Sequence, residues 1–115
     1  MKKLLIALSI ILIAGVALAG QCARSSGEQT ADGIISSKPC GIAGVTIITN
    51  SSSDAKLILY DNAAAASGTV LFERTVTGSN NGRRFTWPYP AECYNGIYAD
   101  VTGTGASYIV EYIKE

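Results

Sequence analysis

The side chains that usually do chemistry are thinly supplied in this sequence. Its 115 residues include no histidine, which removes the ordinary near-neutral proton shuttle and the commonest metal ligand. A Ser or Cys nucleophile would then need a lysine or carboxylate as its base. Beyond residue 19 the lysines are Lys38, Lys56 and Lys114, in no recognised motif spacing. Asp54, Asp61, Glu73, Glu92, Asp100 and Glu111 are enough to assemble an acid/base pair of the glycosidase kind. However, Asp54, Asp61 and Asp100 stand beside turn residues, where Asp is favoured for its own local hydrogen bonds. A calcium site built from Asp54 with Asp61-Asn62 lacks the regular oxygen-ligand spacing of a dedicated loop. The expectation is a protein that is not an enzyme and holds neither cofactor nor metal.

Two other sets of residues carry more information. The first is the aromatic cluster Phe85, Trp87, Tyr89, Tyr94 and Tyr98, with Arg83-Arg84 beside it. Tyr and Trp combine large apolar area with a polar tip, as recognition surfaces require. Phe85 and Trp87 read as core residues of a strand. Tyr89, between Pro88 and Pro90, is hard to bury in a sheet. Tyr89, Tyr94, Arg83 and Arg84 are therefore the candidate partner-binding residues, for a protein or glycan ligand. The second set is the three cysteines, Cys22, Cys40 and Cys93.

The cysteines are read through the N-terminus. Lys2 and Lys3 precede an apolar run from Leu4 to Val16, and Ala17-Leu18-Ala19 places small residues where signal peptidase reads them. Cleavage after Ala19 is the expected outcome. The alternatives are a retained anchor helix, since Leu4–Gly20 is at the short edge of what spans a bilayer, and acylation of Cys22, which the Gln21 directly before it disfavours. The chain is read as exported, with membrane attachment only if the leader is retained or Cys22 is acylated. In an oxidising compartment the simplest pairing is a Cys40–Cys93 disulfide, closing a loop of roughly fifty residues and stabilising the fold by about 4 kcal/mol; the other reading is two buried thiols. As each cysteine stands just before a strand, that bond would join the two layers of a sandwich. Cys22 is left unpaired within the chain, acylated or cross-linked to another copy. Loss of Lys2 and Lys3 leaves seven basic residues against nine acidic, with no basic cluster for a phosphate backbone, so nucleic acid is excluded as a partner.

The elements that must position these residues follow from the patterning. Residues 20–38 are rich in Ser, Gly, Gln and Asp, with few apolar residues before Ile34, and read as a flexible polar tether. Residues 39–115 read as one all-β domain, too short for a second core. Its runs are Ile42–Thr49, Ala55–Tyr60, Thr69–Val76, Arg83–Trp87, Ile97–Thr102 and Ala106–Ile113, separated by Gly, Asn, Asp and Ser turns. Leu57 and Leu59 alternate with Lys56 and Ile58, and Val70, Phe72 and Val76 form another inward face. Pro88 and Pro90 are expected to stop the fourth run, and Asn81-Gly82 to supply a positive-φ turn. In the last run Ile109 and Ile113 share one face while Tyr108, Val110 and Tyr112 share the other. Two apolar faces imply a β-sandwich, or a subunit interface on the second face.

Six segments carry a family resemblance: Thr46-Ile47-Ile48-Thr49-Asn50, Leu57-Ile58-Leu59-Tyr60-Asp61-Asn62, Ala66-Ser67-Gly68-Thr69-Val70-Leu71, Phe85, Gly96-Ile97-Tyr98 and Asp100 through Tyr112. Together, from Val45 to Tyr112, they resemble short domains encoded among phage structural genes. The resemblance implies a jelly-roll-like β-sandwich of six to eight strands that forms homo-oligomers on a virion or similar surface without catalytic residues. The leader and the Cys40/Cys93 pair depart from that family. The reading as a whole is an exported, non-catalytic assembly subunit, with a secreted or membrane-tethered binding domain as its alternative. The intact mass of the native protein checks the processing step: the mature chain should begin at Gly20, and a diacylglycerol adduct on an N-terminal Cys22 would overturn it.

Overall fold

The computed structural model describes residues 23–114, so the expectations for the leader and for Cys22 lie outside the described residues. Eight strands follow one another: β1 (Arg24–Ser25), β2 (Gly33–Ser36), β3 (Cys40–Thr49), β4 (Ala55–Tyr60), β5 (Val70–Val76), β6 (Gly82–Cys93), β7 (Ile97–Thr102) and β8 (Ala106–Lys114). They form two four-stranded sheets, ordered β1-β8-β3-β6 (sheet A) and β2-β7-β4-β5 (sheet B). All pairings are antiparallel. Only β4 and β5 are consecutive strands of the same sheet; each other connection passes from one sheet to the other. The all-β expectation holds.

The core lies between the sheets, where period-two alternation delivers one apolar side chain from every second residue. Sheet A contributes Ile42, Val45, Ile47, Tyr108 and Val110, and sheet B contributes Leu57, Leu59, Phe72, Val76, Ile97 and Ala99. Leu57 and Leu59 point inward as their alternation requires. In β3 the register slips between Ile42 and Gly44 against both neighbours, and this bulge at Ala43 changes the phase of the strand. Cys40 and Ile42 are buried before it, and Val45, Ile47 and Thr49 after it. Ala43 therefore does not share the inward face of Val45 and Ile47. A second irregularity, between Leu59 and Tyr60, pairs Tyr60 with Val70 and turns Val70 outward, 47% exposed.

Three further expectations are corrected. Residues 24–36 are not a tether: β1 pairs with β8, β2 with β7, and Gln29 forms a bridge with Tyr108. The polar composition hid this because these bonds are main-chain ones, available to any residue except proline. Nor do Pro88 and Pro90 stop the fourth run. As the edge of sheet A, β6 needs no amide donors on its open side, and residues 87–90 loop out opposite Ala43 before pairing resumes at Ala91. Finally, the positive φ angles fall at Ser79 (92°) and Asn80 (54°), not at Asn81-Gly82. Asn81 is already fastened to buried Thr49, whose amide and hydroxyl both donate to the Asn81 carbonyl while its oxygen accepts the Asn81 amide.

Tyr108 reports on closure of the sandwich, because its hydroxyl donates to the Ala31 carbonyl at 2.8 Å. Burial and then the Asp32 carboxylate push its phenol up to about 12. The native state thus keeps a proton that the unfolded chain loses near pH 10, and stability should fall as pH rises from about 10 to 12. Tyr108→Phe should cost about 1 kcal/mol at pH 7 and abolish the Tyr108 contribution to that alkaline loss. Urea melts at pH 7, 10 and 11.5 measure both effects.

Candidate functional site

The carboxylates named above are each committed to structure. Asp61 accepts the amides of Tyr94, Asn95 and Gly96 (3.2, 2.8 and 3.4 Å), holding the β6–β7 turn. There Gly96 has φ +148°, and an added Cβ would meet the Ser36 carbonyl at 2.3 Å. Asp54 accepts the Gly78 amide. Glu73 pairs with Lys56 at 3.0 Å, Glu92 accepts the Tyr94 hydroxyl at 2.9 Å, and Glu111 takes the forked guanidinium of Arg84. That ion pair lowers the Glu111 carboxyl below its ordinary range and raises Arg84 above its own. Asp100 is raised, by burial and then by the charge and hydrogen bond of Asp32. Asp32 is itself tied to the Val101 amide at 2.7 Å.

The proposed binding cluster is dispersed. Arg83 and Arg84 are consecutive on β6 and so point to opposite faces. Arg84 lies on the outer face of sheet A against Glu111, whereas Arg83 faces inward, its guanidinium 5.8 Å from the centre of the Phe85 ring. Tyr94, 72% exposed, belongs to the turn at the end of β6. Tyr89 lies within the looped-out part of β6. Phe85 and Trp87 pack against the core, as their strand position suggests.

Cys40 and Cys93 are corrected on two counts. They are both buried thiols rather than the halves of a disulfide. They also do not link the layers: they stand opposite each other on neighbouring strands of sheet A, because β6 runs on to Cys93 instead of ending at the prolines. The Cys93 Sγ donates to the Ala91 carbonyl at 3.5 Å. Burial, and then the neighbouring Cys40, push the Cys93 thiol well above the usual thiol range, which suppresses its nucleophilic form.

Two surfaces were not legible as such in the sequence. One is a row crossing the outer face of sheet B, Ile34–Tyr98–Tyr60–Val70, one residue from each strand in direct register. Ile34 and Val70 are 53% and 47% exposed, and the tyrosines are half-buried. The outward phase of Tyr60 and Tyr98 follows from Leu59 and Ala99 being inward, but only cross-strand register assembles the row. The other is a groove of about 360 Å³ between the two sheets, lined by residues 70–74 of β5 and 85–87 of β6. In it Phe72 meets Phe85 and Trp87 edge to face, with ring centres 5.4 and 5.7 Å apart.

Comparison with protein-family models, curated proteins and solved structures returned no match. The arrangement therefore has to be interpreted from its own chemistry. The thiols provide a check on the packing around them. In a Cys22→Ser protein, Cys40 and Cys93 should be silent to a thiol reagent in the native state and give two thiols in denaturant. No titre after denaturation would show them bonded.

Proposed function

We propose that the protein is an exported, non-catalytic assembly subunit, a jelly roll whose copies associate through the outer face of sheet B. The observation that carries this reading is the Ile34–Tyr98–Tyr60–Val70 row. A contiguous apolar strip spanning all four strands is a feature of interaction faces, whereas singly scattered apolar residues are not. The strip is framed by the Lys56–Glu73 pair and by Asp100, an apolar centre within a polar rim as interfaces between subunits have. A face that packs on its own counterpart gives the closed symmetry common to homo-oligomers.

The jelly-roll assignment is supported by two sheets of four strands with all but one connection crossing between them, the double-sheet arrangement used by viral capsid and lectin domains. The resemblance of Val45–Tyr112 to phage structural domains leads the same way. The alternative reading, a secreted binding domain, draws support from the aromatic groove rather than from Tyr89 and Tyr94.

Size-exclusion chromatography with light scattering on the mature protein tests the assembly reading. The wild type should run as a closed oligomer, and Ile34→Glu with Val70→Glu should shift it to monomer with an unchanged far-ultraviolet spectrum. Both positions are exposed, so the fold should lose no more than about 0.5 kcal/mol. A wild-type monomer at all concentrations would sink the reading.

A further inference from the structure

The two sides of the sandwich are built differently. On one side β1 and β2, successive parts of one short segment, occupy the edges of both sheets. On the other, the edges are β5 and β6, and the groove opens between them. Both strands turn an arginine toward the sandwich interior. Arg74 pairs in register with buried Leu57, and Arg83 with buried Ile47. Neither guanidinium has a carboxylate partner among the described residues. Arg74 donates to the Glu73 carbonyl at 3.1 Å while the Glu73 carboxylate is taken by Lys56, and Arg83 lies over the Phe85 ring. Two inward-facing cations beside an aromatic floor form a site of positive charge with an apolar base.

We propose that this groove binds an extended acidic peptide segment, which lays its main chain along a free strand edge, places an apolar side chain on Phe72, Phe85 and Trp87, and pairs its carboxylates with Arg74 and Arg83. The main-chain part is strand addition, for which the Pro-free stretch from Gly82 to Trp87 and the whole of β5 supply unpaired donors and acceptors. The carboxylate part is charge complementarity, with Arg the side chain best shaped to fork onto a carboxylate. A peptide fits better than a sugar. Sugar stacking needs an open ring face, and here the rings meet edge to face with Phe72 only 8% exposed. This inference is independent of the assembly reading, which uses the outer face of sheet B.

Trp87 is the sole tryptophan of the chain, so its fluorescence reads the groove directly. The mature protein is titrated with a terminally blocked octapeptide alternating valine and glutamate, with the valine–lysine counterpart, with the glutamate peptide N-methylated at alternate residues, and with oligogalacturonate. The glutamate peptide should shift the emission saturably and weaken with added salt, and both the lysine and the N-methylated peptides should fail. Arg74→Ala with Arg83→Ala should weaken binding at least about tenfold, as loss of charge-assisted contacts does, while Arg74→Lys with Arg83→Lys retains part of it. The wild-type peptide series stands alone if the double variant does not fold. No response to the glutamate peptide, an equal response to the lysine peptide, or indifference to N-methylation would overturn the proposal and leave the arginines as guards of the strand edges. Tighter binding of oligogalacturonate would replace the peptide with an acidic glycan.

Discussion

Sheet A depends on the pairing of β3 with both β6 and β8. This is the strand with a full-length partner on each side, and its register dictates where the side chains of all three strands fall. Two glycines make the close packing feasible. A Cβ on Gly41 would come within 2.9 Å of the Pro90 ring, and one on Gly44 within 3.3 Å of the Arg84 guanidinium. The bulge at Ala43 sits between them, and opposite it β6 leaves the ladder for the Trp87–Pro90 excursion. One irregularity in the middle strand thus faces the excursion that begins at Trp87, and pairing resumes beyond it in time to set Cys93 against Cys40.

That dependence explains what was legible in the sequence. Fold class, the runs β3, β4, β5, β7 and β8, and the inward phase of Leu57, Leu59 and Phe72 follow from alternation, a property of single strands. Errors arose where pairing overrides it. Val70 has the alternation of a core residue, but the slip between Leu59 and Tyr60 turns it outward. Pro88 and Pro90 are strand breakers only where both sides need donors. Residues 24–33 carry little apolar signal, yet main-chain bonds to β7 and β8 hold the segment in both sheets. Cys40 and Cys93 were recognised as a pair, but the length of β6 decided that they are neighbours in one sheet.

The same distinction applies to the candidate surfaces. Aromatic and arginine residues clustered in sequence, Arg83 to Tyr94, are divided among two faces, a loop-out and a turn. The residues that do gather, Ile34, Tyr60, Val70 and Tyr98, come from four separate strands. Arg74, which carried no signal by itself, becomes notable only because its register partner is buried Leu57. Which edges and faces remain uncovered is decided by strand pairing, and single-strand patterns do not specify that.

The place of β8 in sheet A has a consequence for how the molecule comes into being. The last described strand lies second in the sheet, between β1 and β3, so the first and last described strands are hydrogen-bonded neighbours. A nascent chain emerging N-terminus first cannot complete this sheet until residue 114 is clear. Until then β1 has no partner and β3 lacks one of its two. Sheet A stays open until β8 docks between them, and only then do Arg24 and Tyr112 come to lie opposite each other.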